Sequence, residues 1–248
     1  MLNKKLLTAA VTTALMAGFG STQVLAADDF AISGNIALTT DYRFRGISQS
    51  NEDPAVQGGF DVGFEPGFYL GTWASSIDFD NNDNATGSYG NLEVDYYGGW
   101  RGPIGDSDFG IDVGYAYYQY PSDTTDPKGD YQEFYLKGSW TTLILGVAYS
   151  DDNYAETGES WYFSGDYSYG LIDSLTLGLH AGYSSFDEAG VFLSNDKDDY
   201  TDYAVSLTYN WASVDFSVAY VGTDLDEEDY FDTQLAEPVA VFTIKKIM

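Results

Sequence analysis

Between positions 30 and 46 apolar and small residues fall on every second position: Phe30, Ile32, Gly34, Ile36, Leu38, Thr40, Tyr42, Phe44 and Gly46. Ser33, Asn35, Thr39, Asp41, Arg43 and Arg45 fill the gaps. A period of two is what a strand imposes, because successive side chains point to opposite faces of a pleated backbone. The run is longer than most strands of soluble proteins. It sets an apolar face against a polar or charged one, as a strand between lipid and water would.

The same period returns along the chain. Val56, Gly58, Phe60, Val62 and Phe64 alternate with Gln57, Asp61 and Glu65, after which Glu65-Pro66-Gly67 turns the chain. A third strand is expected over about 68–79, a fourth over 92–101 closed by Gly102-Pro103-Ile104-Gly105, and a fifth over 109–117. Seven more follow at roughly 131–139, 143–150, 160–169, 175–186, 200–209, 213–222 and 237–247, making twelve. Five connections are short (65–67, 102–106, 140–142, 170–174, 210–212) and six are longer (48–54, 80–90, 121–130, 151–159, 187–199, 223–236), and the two kinds alternate strictly. An up-and-down antiparallel barrel of twelve strands, with both chain ends on the short-turn side, needs that division. A soluble sandwich has no reason to sort its loops so.

Past residue 26 no apolar run approaches the roughly 20 residues of a membrane helix, so a membrane-spanning form of this chain has to be a closed barrel. Composition agrees, with 27 Gly, 22 Tyr and 15 Phe against 6 Pro and 3 Met. We expect one domain over 27–248. The start differs: Lys4 and Lys5, an apolar stretch from Leu6 to about Gly20, and Val24-Leu25-Ala26 before Ala27-Asp28-Asp29 have the layout of an export signal cleaved after Ala26.

Charge narrows the partners. The chain carries −29, which loss of Lys4 and Lys5 takes to −31, and the basic footprint of a nucleic-acid binder is missing. The six long loops hold 22 of the 39 acidic residues but only Lys128 and Lys197 among the 10 basic ones, so the outer rim is acidic. Trp100, Trp140 and Trp211 sit at or beside short turns, where an interfacial aromatic girdle belongs. Cysteine is absent, which removes disulfides, thiolate metal sites and thiol nucleophiles.

The stretch Thr40-Asp41-Tyr42-Arg43-Phe44-Arg45-Gly46-Ile47-Ser48-Gln49-Ser50, with Pro54-Ala55-Val56-Gln57-Gly58-Gly59 and Gly67-Phe68-Tyr69-Leu70-Gly71-Thr72-Trp73-Ala74-Ser75, closely resembles the TorF-type porin family of Gram-negative bacteria. Shorter matches follow at Glu93-Val94-Asp95-Tyr96-Tyr97-Gly98-Gly99, His180-Ala181-Gly182-Tyr183 and Tyr200-Thr201-Asp202-Tyr203. The resemblance implies an outer-membrane barrel that passes small solutes or ions, is inserted by the barrel assembly machinery, needs no cofactor and has no catalytic residues. The chain departs from the usual outer-membrane ending, an aromatic, by closing on Lys245-Lys246-Ile247-Met248.

If the apolar face of each strand meets lipid, charges of the opposite parity line the lumen, because a charge facing lipid costs roughly 2–4 kcal/mol at the midplane. That reasoning selects Asp41, Arg43, Arg45, Asp61, Glu93, Asp95, Arg101, Asp112, Glu133 and Lys137 as candidate pore-lining residues, and Asp166, Asp202 and Asp215 with them. Acids outnumber bases among them, which favours cations. An equally open alternative pairs Arg43 and Arg45 with Glu93, Asp95 or Asp61 as ion pairs filling a nearly plugged barrel. A closed structural barrel with adhesive or ion-binding loops is the rival to a pore. A soluble secreted β protein is a more distant one.

No other chemistry is expected. His180 is the only histidine, lies inward of Leu175, Leu177, Leu179 and Ala181, and has no serine at a local catalytic spacing. Asp80-Asn81-Asn82-Asp83-Asn84 starts like a calcium loop, yet Ala85 stands where glycine is required and Asn91 where glutamate is. Asp224-Leu225-Asp226-Glu227-Glu228-Asp229 is expected to be a solvated acidic loop.

Overall fold

A computed structural model describes residues 25–27, 30–79 and 88–248. Twelve strands make one antiparallel sheet: β1 Phe30–Thr39, β2 Ala55–Phe64, β3 Phe68–Ser76, β4 Leu92–Pro103, β5 Phe109–Gln119, β6 Tyr131–Trp140, β7 Leu143–Ser150, β8 Ser160–Ile172, β9 Leu175–Phe186, β10 Asp199–Trp211, β11 Val214–Thr223 and β12 Val239–Ile247. Each pairs with the next, and β12 returns to β1 from Thr243↔Thr39 to Ile247↔Asn35. Met248 completes the seam by exchanging backbone hydrogen bonds with Gly34 at 2.8 and 3.0 Å. Closure removes the exposed strand edges of an open sheet and satisfies the backbone within the wall. Leu25–Ala27 adds a short antiparallel pairing against Phe30–Ile32. The rest of the expected export segment, residues 1–24, and the calcium-like loop at 80–84 lie outside the described residues.

The pleat sorts side chains as the alternation demands. On β1, Phe30, Ile32, Ile36 and Leu38 are exposed, while Ser33, Ala37 and Thr39 are buried inside the barrel. On β9, Leu179, Ala181 and Tyr183 face out and His180 faces in. The outer surface therefore carries a continuous apolar belt, with Phe60 64% exposed and Leu145 58%, an arrangement that suits lipid rather than water. Trp140 and Trp211 are exposed at the short-turn rim, Phe109 stacks on Trp140 at 5.9 Å, and Trp100 donates its indole N–H to the Pro66 carbonyl.

The inner wall is held open by a repeated device. Several inward tyrosines, Tyr97, Tyr135 and Tyr162 among them, lie over a glycine on a neighbouring strand. A Cβ on Gly71 would come within 2.3 Å of the Tyr97 ring, and one on Gly114 within 2.4 Å of Tyr135.

One expectation is corrected. The first strand does not run to Gly46 but ends at Thr39, and residues 43–48 form a separate two-stranded hairpin, Arg43–Phe44 against Ile47–Ser48. Arg45 and Gly46 both have positive φ, 48° and 83°, the two-residue turn that favours glycine at its second position. The period of two continued because the hairpin is also extended backbone, but it runs in a different sheet.

Candidate functional site

The hairpin is where the site begins, and it is fixed by side chains. Asp41 accepts hydrogen bonds from Ser48 Oγ at 2.6 Å and from Arg43 Nε, while Ser50 Oγ accepts from the Tyr42 amide at 2.9 Å. Arg43 reaches over the β12–β1 seam to donate to the carbonyls of Leu235 at 2.6 Å and Glu237 at 3.0 Å. The Ser48 amide also donates to the Leu235 carbonyl. The first long loop is thereby tied to the sixth. It folds inward, with Asp41, Arg43 and Arg45 all buried.

At the hairpin tip Arg45 enters the lumen. Its Nη2 lies 2.6 Å from Glu133 Oε1, and its guanidinium sits between the rings of Phe44 and Tyr162, at 4.7 and 4.1 Å from their centres. Tyr118 donates to the other Glu133 oxygen at 3.0 Å. Glu93 and Asp95 face the same interior. Glu93 accepts from the Tyr42 hydroxyl at 3.1 Å, whereas its Oε2 and both Asp95 oxygens receive no hydrogen bond. Buried carboxylates without donors are uncommon, and each calls for a positive partner or a proton.

Above this layer, on the long-loop side, lies a cavity of about 580 Å³. Its walls carry rings from in or beside four of the long loops: Phe44, Tyr120, Tyr131, Tyr154, Phe186 and Tyr200. Tyr120 and Tyr154 meet edge-on at 5.4 Å, and Phe186 and Tyr200 stack at 6.3 Å. Burial pushes the phenols of Tyr154 and Tyr230 upward, Tyr230 to about 12, so these walls stay neutral in ordinary solution. A second, smaller cavity of about 30 Å³ is bounded by Phe44, Arg45, Glu133, Tyr135, Lys137 and Tyr162.

Toward the short turns the remaining candidates are only half-buried. Asp112 stands directly across from Arg101 on one side and Lys137 on the other, so the three form a rung of alternating sign on the inner wall. Tyr69 donates to Asp112 at 2.6 Å and Tyr97 to Asp61 at 2.7 Å. Asp215 and Lys245 face each other similarly.

The ten candidate residues thus separate into two groups. Asp41, Arg43, Arg45, Glu93, Asp95 and Glu133 are buried at the loop end, while Asp61, Arg101, Asp112 and Lys137 are partly exposed nearer the turns. Arg43 is spent on loop carbonyls and does not border the large cavity. His180 is bracketed by Asp166 at Nδ1 and Asp202 at Nε2, both at 2.8 Å, with the Tyr162 hydroxyl 3.0 Å from Nε2. That is a buried structural network. The aromatic walls were not selected from the sequence, although Tyr131 and Tyr135 share the inward parity of Glu133 and Lys137 and could have been found by it. No group of three His, Cys, Asp or Glu residues that could hold a metal occurs among the described residues.

Residues 23–247 match the family described as "Bacterial protein of unknown function (Gcw_chp)". The chain belongs to that family. No curated protein matches it in sequence. Among solved structures, "KdgM porin" superposes with a TM-score of 0.51 at 11% identity, covering 87% of this chain and 96% of that one. "NanC porin structure in rhombohedral crystal form" gives 0.52 at 14% identity, covering 88% and 98%. The Gcw_chp chain therefore has the fold of those porins, a closed twelve-strand antiparallel barrel, and at such identities the likeness speaks for fold alone.

Proposed function

We propose that the protein is an outer-membrane channel of the porin kind, passing small hydrophilic solutes or ions by diffusion, and that its family is the TorF-type one. The observation that carries this reading is the inversion of the two faces: an apolar belt outside and a charged, hydrogen-bonded interior. A soluble barrel would reverse them. Residues 1–26 act as the export signal in this reading, and the barrel assembly machinery inserts the mature chain. The mechanism is passage past fixed charges, first the buried Arg45–Glu133 layer and then the Arg101–Asp112–Lys137 rung. The excess of inward carboxylates over cations supports a preference for cations.

Planar-bilayer recording tests it: discrete current steps are expected, and reversal potentials in a salt gradient should have the sign of cation selectivity. An anion-selective current would remove the selectivity and keep the channel. A second reading, a barrel that conducts nothing, is favoured by the Arg45–Glu133 pair packed between rings inside the lumen. Silence in the bilayer from a barrel that is folded by circular dichroism would establish that reading instead.

A further inference from the structure

We propose that the vestibule above the hairpin binds an organic monocation, a methylated ammonium group on a compact apolar body. Three features converge on that chemistry. First, the walls present ring faces and edges from Phe44, Tyr120, Tyr131, Tyr154, Phe186 and Tyr200, and a cation within roughly 6 Å of a ring centre is attracted by the ring quadrupole. Second, Glu93 borders the same cavity, is 2% exposed, and receives a single donor, the Tyr42 hydroxyl on Oε1. A buried carboxylate beside an aromatic chamber is a partner for positive charge. Third, the surrounding long loops are acidic, which concentrates cations at the mouth.

Arg45 is the obvious objection, since it also borders the cavity. Its charge is already met by Glu133 at 2.6 Å. Its position between Phe44 and Tyr162 moreover shows the floor of the chamber already holding a cation between rings. With Arg45 neutralised, Glu93 and Asp126 set the sign of the lining. A small inorganic divalent ion fits worse, because no metal-holding group of acids is present among the described residues. A chamber of about 580 Å³ walled by rings suits a polyatomic cation.

The site stands independently of conduction, so binding is measured in detergent and current in a bilayer. Isothermal titration of the full chain in micelles uses choline, its uncharged isostere with a tert-butyl group in place of trimethylammonium, and glucose. Choline should bind at least ~10-fold more tightly than the isostere. Glu93→Gln, which keeps the shape and removes the charge, should weaken choline by about tenfold and leave the isostere unchanged. Tyr154→Leu should also weaken choline, with the barrel shown folded by its heat-dependent gel migration. Equal affinity for choline and isostere, tighter binding of glucose, no choline binding by a folded barrel, or an unaltered Glu93→Gln variant would each overturn the proposal. Choline binding without current would sink the channel and keep the site.

Discussion

The loop end and the turn end of the lumen carry charges of the same parity and use them differently. At the loop end Arg45 and Glu133 are buried together and touch at 2.6 Å, with Arg43 held by carbonyls of the sixth long loop. At the turn end Arg101, Asp112 and Lys137 stand on neighbouring strands of one wall and remain partly exposed. Alternation decides that a charge faces inward, and depth decides its role. In the buried half an unpaired charge is costly, a cost that Arg45 and Glu133 avoid by touching. In the other half the charges stand partly exposed along the wall.

The largest contrast comes from truncating one arginine in each half. Arg45→Ala leaves Glu133 buried with its partner removed, a loss we expect to be about 3–5 kcal/mol. It should appear as a clear fall in the temperature at which the barrel loses its folded migration on a gel, together with larger single-channel currents as the hairpin tip shrinks. Replacing the pair, Arg45→Met with Glu133→Met, should recover most of the stability, since the cost lies in the orphaned charge rather than in the lost attraction. If Arg45→Ala were no worse than Arg101→Ala, the two halves would not differ as described. His180→Ala should behave like the loop half, costing about 3 kcal/mol by stranding Asp166 and Asp202, with unfolding temperature again the measure.

Wall packing is the next effect in size. Gly71→Ala places a methyl against the Tyr97 ring and should cost about 1–3 kcal/mol, whereas Gly63→Ala, where a Cβ meets nothing within 4 Å, should be close to neutral. Arg101→Ala should change stability by less than ~1 kcal/mol, because the residue is partly exposed. Its signature is electrical: the reversal potential should move further toward cation selectivity. An unmoved potential would show that the rung of Arg101, Asp112 and Lys137 does not meet the permeating ions.

How far these differences could be read in advance depends on whether they are local. The pleat from Phe30 to Thr39 was legible, because its sorting needs only a wall between two environments. The inward direction of His180 followed from the same parity, and Asp166 stands directly across from it in the ladder. The break after Thr39 was not legible. Thr40, Tyr42, Phe44 and Gly46 keep the period, and the contacts that hold the hairpin inward come from Leu235 and Glu237, 192 and 194 residues beyond Arg43. Gly46, beside a turn residue and packed toward Thr223, was the one local sign. The vestibule is built from irregular loops and strand ends whose meeting no periodicity encodes.

The smallest expected effect tests the comparison outside the barrel, where both partners see water. Lys197 in the fifth long loop donates to Asp229 in the sixth at 3.0 Å. That hydrogen bond holds the Asp229 carboxyl below the usual carboxylate range and raises the Lys197 ammonium above its ordinary value. A depressed carboxylate contributes stability that is present above its unfolded value and lost as pH falls through the folded one. A raised ammonium contributes stability that is present below its unfolded value and lost as pH rises through the folded one. The tie between the loops should therefore persist across neutral pH and fail at both extremes, first by protonation of Asp229 in strong acid and, at the other end, by deprotonation of Lys197 in strong base. Half-buried between two surface loops and screened by solvent, it is worth only about 0.2–1 kcal/mol. Asp229→Asn should leave the unfolding temperature of the barrel within error and speed amide exchange in residues 224–232 at neutral pH. A shift in barrel unfolding as large as that of Arg45→Ala would mean that loop order and the buried lumenal pair form one cooperative unit.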